Sequence, residues 1–195
     1  MDDGFHRFRL ADSPRRDAPA LFLDRDGTLI EDPGYISNPD DVRLIDGVPG
    51  ALRRFRDAGY ALVVVTNQSG IGRGRYGWDD YEAVAARLDD LLAAEGIFLD
   101  AAFACGHAPA AGAACGWRKP APGMIHAAAE QLGLDLGRSL LAGDKRLDIE
   151  AAAAAGLPRA AHVMTGQGRV ERGKLAGVRF SLDLDLIDDL TELTP

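Results

Sequence analysis

At 195 residues the chain is long enough for one domain with a sizeable core, and 47% apolar and 27% charged residues are ordinary for a globular protein. A formal net charge of −8 argues against non-specific nucleic-acid binding, though not against an anionic substrate, because local cations and a metal can dominate a pocket. No apolar stretch is long enough to span a bilayer, the N-terminus lacks the apolar core of a signal peptide, and two cysteines are too few for a disulfide scaffold.

The expectation is therefore a cytoplasmic protein with no nucleic-acid or membrane partner; a monomer is expected, but composition does not determine it. Residues 1–18 carry Pro14 and many charges and are expected to be a flexible N-terminal arm before a single domain, 19–195. The apolar run 20–23, closed by Asp and Gly, reads as a buried strand. Further strands are expected at 62–65, which is rich in valine, and at 101–104, 139–142 and 161–164. Helices are expected at 48–58, 79–95, 122–132 and 148–155, with Gly59, Gly96, Gly133 and Gly156 just beyond their ends. Strands alternating with helices imply an α/β fold, a Rossmann-like three-layer αβα sandwich around a mainly parallel sheet. Sites in such sheets lie beyond the carboxyl ends of the strands.

Four strand ends carry chemistry. The first is Asp24-Arg25-Asp26-Gly27-Thr28. While the chain stays extended, Asp24 and Asp26 share a face. Two carboxylates 4 Å apart repel by roughly 4 kcal/mol at an effective dielectric of about 20. Such a pair calls for a cation or a shared proton, unless it is only a solvated acidic turn. The others are Thr66-Asn67-Gln68-Ser69, Arg118-Lys119-Pro120 and Gly143-Asp144-Lys145. Parallel topology would gather these groups in one crevice, and the set suits phosphoryl transfer. Asp24 is placed to attack phosphorus, and Asp26 to protonate the leaving oxygen and then activate water. Thr66 and Lys119 can bind phosphoryl oxygens, and Asp144 can complete a Mg²⁺ site.

These four motifs, in this order, resemble those of the haloacid dehalogenase superfamily of phosphatases. With Asp32-Pro33-Gly34-Tyr35 and the run Thr66 to Gly74, the chain is similar to the D-glycero-D-manno-heptose-1,7-bisphosphate 7-phosphatases, which are small and capless. The resemblance implies a Mg²⁺-dependent hydrolase of a sugar phosphate, used for lipopolysaccharide or surface-polysaccharide precursors. It implies Mg²⁺ on Asp24, on the Asp26 carbonyl and on Asp144. It also implies a sugar pocket of Asp32, Pro33, Gly34, Tyr35, Asn67, Gln68 and Ser69, with Arg118 recognising substrate and Lys145 near the phosphate or the metal ligands. Histidinol-phosphate phosphatases are the nearest competitor, and a non-catalytic phosphate-binding scaffold is the alternative from another class.

One loop departs from the pattern. The family's structural zinc loop is Cys-x-His followed by Cys-x-Cys. Here Cys105-Gly106-His107 matches the first half, but Cys115-Gly116-Trp117 puts Trp117 in place of the fourth ligand. Structural zinc sites almost always have four protein ligands. The expectation is a degenerate set, Cys105, His107 and Cys115, with well under one Zn²⁺ per chain, unless Asp100 or a distant histidine completes it. Other features have plainer readings. Gly72-x-Gly74-x-x-Gly77 starts too far past its strand for a dinucleotide fingerprint. Gly168 to Lys174 lacks the Ser or Thr of a P-loop. Asp183, Asp185, Asp188 and Asp189 read as a solvated tail face, and His162 as structural.

Overall fold

A computed structural model describes residues 4–109 and 115–195. Its centre is β2 (Ala20–Leu23), paired in parallel with β3 (Ala61–Asn67) on one side and β5 (Leu140–Gly143) on the other. Beyond β3 lies β4 (Ala101–Cys105), and beyond β5 lie β6 (Arg159–His162) and β7 (Asp183–Leu186), all parallel. The chain thus runs outward from β2 to β4, then returns to the other flank of β2 at β5. That reversal beside β2 is the topological switch point where such sheets place their sites.

The central strands are apolar on both faces because both faces are covered. Leu21 and Leu23 of β2, with Leu62 and Val64 of β3, meet one helical layer, while Ala20, Phe22, Ala61, Val63 and Val65 meet the other. The first layer is α1 (Val48–Asp57) and α3 (Trp78–Ala94). Val48, Ala51, Leu52 and Phe55 fall at the i, i+3, i+4 and i+7 spacing that makes one face of α1 apolar. The short α2 (Ser69–Gly72) follows β3 directly. The second layer is α4 (Gly123–Leu132) and α5 (Arg146–Ala154), whose alanines allow close approach to the sheet. A last short helix, α6 (Gly168–Glu171), follows β6.

Two expectations are corrected here. The segment read as a mobile arm contains β1 (His6–Leu10), which pairs antiparallel with β4 so that His6 faces Cys105 across the pair. Phe8 of β1 stacks on Phe103, with ring centroids 5.6 Å apart. The acidic stretch read as a solvated tail face does expose Asp183 and Asp188, but it also contains β7, where Asp185 pairs with Arg159 of β6 at 2.7 Å. Both are edge strands with few buried residues. Their charges follow the solvent-facing edge and hide the strand pattern.

Candidate active site

The loops after β2, β3, β4, β5 and β6 meet at the carboxyl edge of the sheet. The Asp24 peptide N–H donates to the Ala142 carbonyl at 3.0 Å, which extends the β2–β5 ladder by one residue and fixes the Asp24 backbone. The Asp24 side chain is buried, and its Oδ1 accepts from the Arg25 peptide N–H at 2.8 Å and lies 2.9 Å from Lys119 Nζ. That ammonium also lies 2.6 Å from Asp148 Oδ1 and donates to the Val65 carbonyl at 2.7 Å. Reciprocal bonds of 3.0 Å between the Asn67 side chain and the Lys119 backbone tie this loop to the end of β3.

Asp148 is a site residue that the motif reading did not single out. It stands in the first turn of α5, where its Oδ2 accepts from the Lys145 N–H at 3.0 Å. An Asp at that position after a polar loop signals a helix cap, which is half of what it does. Its contact with Lys119 is visible only in three dimensions.

Asp144 is fully buried. Its Oδ2 accepts from the Gln167 N–H at 2.8 Å, and Lys145 Nζ lies 2.9 Å from its Oδ1. Gly27, with φ of +89°, makes room for it, since a side chain at 27 would begin 2.4 Å from Asp144 Oδ2. The Lys145 ammonium is also 3.4 Å from the Asp26 carbonyl, 3.9 Å from Asp24 and 3.7 Å from Asp32. One positive centre therefore reaches the same three groups expected to hold a metal.

Burial would raise the Asp24 carboxyl, but Lys119 and then Lys145 outweigh it and hold it below the usual range. Burial and the charge of Asp24 push Asp144 up to about 7, against the pull of Lys145. Burial works against both lysines, yet the carboxylates hold them above their ordinary values, Asp148 and Asp24 acting on Lys119 and Asp24 and Asp144 on Lys145. Asp24 is thus held ionised beside two cations.

Asp26 is held by the buried Arg25, whose Nε is 2.8 Å from Oδ1, and by Gln68 Nε2, 2.9 Å from Oδ2. Gln68 is a hydrogen-bond hub at the cleft wall. It is 1% exposed, its amide also donates to Thr66 Oγ1 at 2.8 Å, and its Oε1 accepts from Arg25 and from the Tyr76 hydroxyl. Burial pushes the Tyr76 phenol up to about 12, so it keeps the proton it donates.

A cleft of about 210 Å³ opens above these groups, lined by Asp24, Asp26, Asp32, Gly34, Tyr35, Asn67, Gln68, Ser69, Tyr76, Lys145 and Gln167. Thr66, Lys119 and Asp144 lie beneath it, buried. Pro33 and Arg118 do not line it. The Arg118 guanidinium instead donates to the His107 carbonyl at 2.7 Å, since its loop turns it toward the Cys/His segment. The exposed Arg75 lies at the rim, 4.3 Å over the Tyr35 ring. A larger hollow of about 550 Å³, between Arg9, Asp89 and Phe98, lies at the opposite end of β4 and lacks any of the motif residues.

The Cys/His segment holds a second cluster. Cys105 Sγ is 3.6 Å from both His107 Nδ1 and Cys115 Sγ, and His6 Nε2 is 3.2 Å from Cys115 Sγ. One ligand atom from each of the four residues lies within 4.8 Å of the others. Trp117 stacks on His6, centroids 4.7 Å apart. Asp100 is engaged elsewhere, accepting from the Leu62 N–H at 2.8 Å.

Known proteins resemble this chain over most of its length. The family model described as polynucleotide kinase 3 phosphatase matches residues 20–146, and one described as HAD-hydrolase-like matches residues 116–193. The D-glycero-beta-D-manno-heptose-1,7-bisphosphate 7-phosphatase of Yersinia pestis is 40% identical over 163 residues, covering 81% of this chain and 87% of that protein. The protein of the same name from Mesorhizobium japonicum is 44% identical, covering 80% of this chain and 73% of its own length. The crystal structure of D,D-heptose 1,7-bisphosphate phosphatase from B. bronchiseptica, complexed with magnesium and phosphate, matches with a TM-score of 0.78 at 33% identity, over 88% of this chain and 93% of that one.

Proposed function

The chain belongs to the haloacid dehalogenase-like phosphatases, and from that premise we propose that it removes the 7-phosphate of D-glycero-D-manno-heptose 1,7-bisphosphate through an aspartyl-phosphate on Asp24. The observation that carries this reading is the ionised Asp24 carboxylate at the end of β2, 2.9 Å from Lys119 and open to the cleft with Asp26 beside it. The donor set suits Mg²⁺, a hard cation that takes oxygen ligands, because Asp144, the Asp26 carbonyl and Asp24 already surround one positive centre, the Lys145 ammonium. When bound there, the ion offsets repulsion between the Asp24 carboxylate and the substrate phosphate.

In the first step an Asp24 oxygen forms a bond to phosphorus while the bond to the sugar oxygen breaks. Asp26, oriented by Arg25 and Gln68, gives its proton to the departing oxygen, and the sugar leaves as an alcohol. In the second step Asp26 takes a proton from water, the water oxygen attacks phosphorus, and inorganic phosphate leaves with Asp24 restored. Gln68 donates to Thr66 Oγ1, which leaves the Thr66 hydroxyl hydrogen to a phosphoryl oxygen. Lys119 keeps its charge beside Asp24 throughout.

The polar cleft wall of Asp32, Gly34, Tyr35, Asn67 and Ser69 suits a polyhydroxylated sugar, and Arg75 offers a rim cation to the second phosphate. We place the enzyme in the cytoplasm as a monomer acting on this small molecule. Among the described residues no helix is long and apolar enough to cross a membrane. The test is kcat/KM for both anomers of heptose 1,7-bisphosphate, for histidinol phosphate and for an aryl phosphate. Heptose bisphosphate is expected to lead. A preference for histidinol phosphate would refute the substrate and leave the chemistry standing.

A further inference from the structure

We propose that one structural zinc ion is bound by His6, Cys105, His107 and Cys115, with the N-terminal strand β1 supplying the ligand that the 105–117 loop lacks at Trp117. This reverses the expectation of a degenerate, metal-poor loop. The fourth ligand is 99 positions from the nearest of the other three in sequence. Antiparallel pairing of β1 with β4 sets His6 directly opposite Cys105 and brings it into place.

The distances have the dimensions of a tetrahedron. Bonds of about 2.3 Å to sulfur and about 2.05 Å to nitrogen separate two sulfurs by about 3.8 Å, and a sulfur from a nitrogen by about 3.6 Å. The Cys105–Cys115 Sγ separation is 3.6 Å, Cys105 Sγ to His107 Nδ1 is 3.6 Å and Cys115 Sγ to His6 Nε2 is 3.2 Å. Both cysteines are free thiols and so available as ligands. Two sulfurs and two imidazole nitrogens select zinc over the magnesium of the cleft. On binding, both thiols release their protons, and two thiolates with two neutral imidazoles cancel the charge of the ion. A neutral complex suits a cluster in which Cys105 is buried and the other three ligands are half-buried. The Trp117 ring, stacked on His6 and 5.9 Å from Phe103, walls the ion from solvent where the family places a cysteine.

The clamp has a second consequence. Cys115 stands four positions before Lys119, and Arg118 donates to the carbonyl of His107. Zinc would therefore join the edge strand to the segment that carries Lys119. The ion does not depend on which phosphomonoester is cleaved.

The test uses full-length, tag-free protein dialysed against metal-free buffer. Elemental analysis should give one zinc per chain. Cobalt-exchanged protein should show the intense visible bands of four-coordinate Co²⁺ and a thiolate-to-cobalt charge-transfer band. His6→Ala should bind zinc at least ~10-fold more weakly in competition with a chromophoric chelator, and its cobalt spectrum should change. His6→Cys restores four ligands and guards against misfolding of the first variant. It should retain zinc and strengthen the charge-transfer band. Hydrogen exchange across residues 6–10 should be slow with zinc and faster after its removal. Zinc-free protein, a Cys105–Cys115 disulfide, or His6→Ala with unchanged affinity and spectrum would overturn the proposal. Equal exchange with and without zinc would overturn the clamp.

Discussion

The oxygen-lined cleft and the sulfur–nitrogen cluster lie on the same edge of one sheet, yet they are assembled by different rules. Each cleft group sits at the carboxyl end of a parallel strand or in the loop after one, so the topology brings Asp24, Asp144 and Lys119 together once the strands form. The Cys/His cluster depends on an antiparallel edge strand whose register alone aligns His6 with Cys105. The first kind of site follows from the βα repeat, and the second from one long-range pairing. The difference predicts that chemistry and structural support can be perturbed separately.

The largest expected effect is at Asp24, the proposed nucleophile. Asp24→Asn should lower kcat by about 10⁴-fold or more. Its fold and zinc content should stay those of the parent, while the loss of one of Lys119's two carboxylates should lower its melting temperature. A fall in zinc content would show that the two regions are not separable.

Next in size is Asp148→Asn. It leaves Lys119 with Asp24 as its only carboxylate partner and should lower stability by less than the about 3–5 kcal/mol lost when a buried charge is left with no partner, because burial and the charge of Asp24 already push the Asp148 carboxyl up. Denaturant melts read the loss, and kcat should fall along with it. An unchanged melt would mean that Lys119 does not need its second carboxylate.

Metal addition gives a smaller effect. Mg²⁺ at about 100 times its Kd should stabilise the fold by about 2.7 kcal/mol. Asp144→Asn should abolish that increment while leaving zinc bound, as read by melts with and without Mg²⁺.

The smallest effect is on pH dependence. His162 is fully buried, and burial with the adjacent Arg172 holds its pKa below the usual value. The unfolded chain therefore takes up this proton first as pH falls. The contribution is complete above about pH 6.5 and shrinks below it, by at most ~1.4 kcal/mol per pH unit. The difference in stability between the parent and His162→Asn should narrow from pH 7.5 to 5.5. A constant difference would remove His162 from the acid response.

Much of this was legible in the residues. The buried runs at β2 and β3 are continuous because both faces are covered, and short apolar stretches followed by Asp, Thr or Gly-Asp mark the ends where sites form. Side-chain direction was less legible. Gln68 reads as a sugar contact from its place after β3 and does line the cleft, but its amide is also tied to Asp26, Thr66 and Tyr76, a role its position in the sequence does not signal. Arg118 reads as a substrate contact from its place beside Lys119, but the His107 carbonyl turns it away. Arg75 gave no signal at all, since only the fold of the loop after α2 sets it over Tyr35.

By itself the sequence determined the reaction class and the βα architecture, because both are written in contiguous motifs whose spacing a parallel sheet converts directly into position. Tertiary structure decided which groups those motifs lean on. Asp148 under Lys119, Lys145 among three oxygens and His6 beside Cys105 are contacts between segments far apart in the chain or between side chains whose direction is set by packing. Such contacts have no period or motif, because their energy arises only when distant elements are brought together.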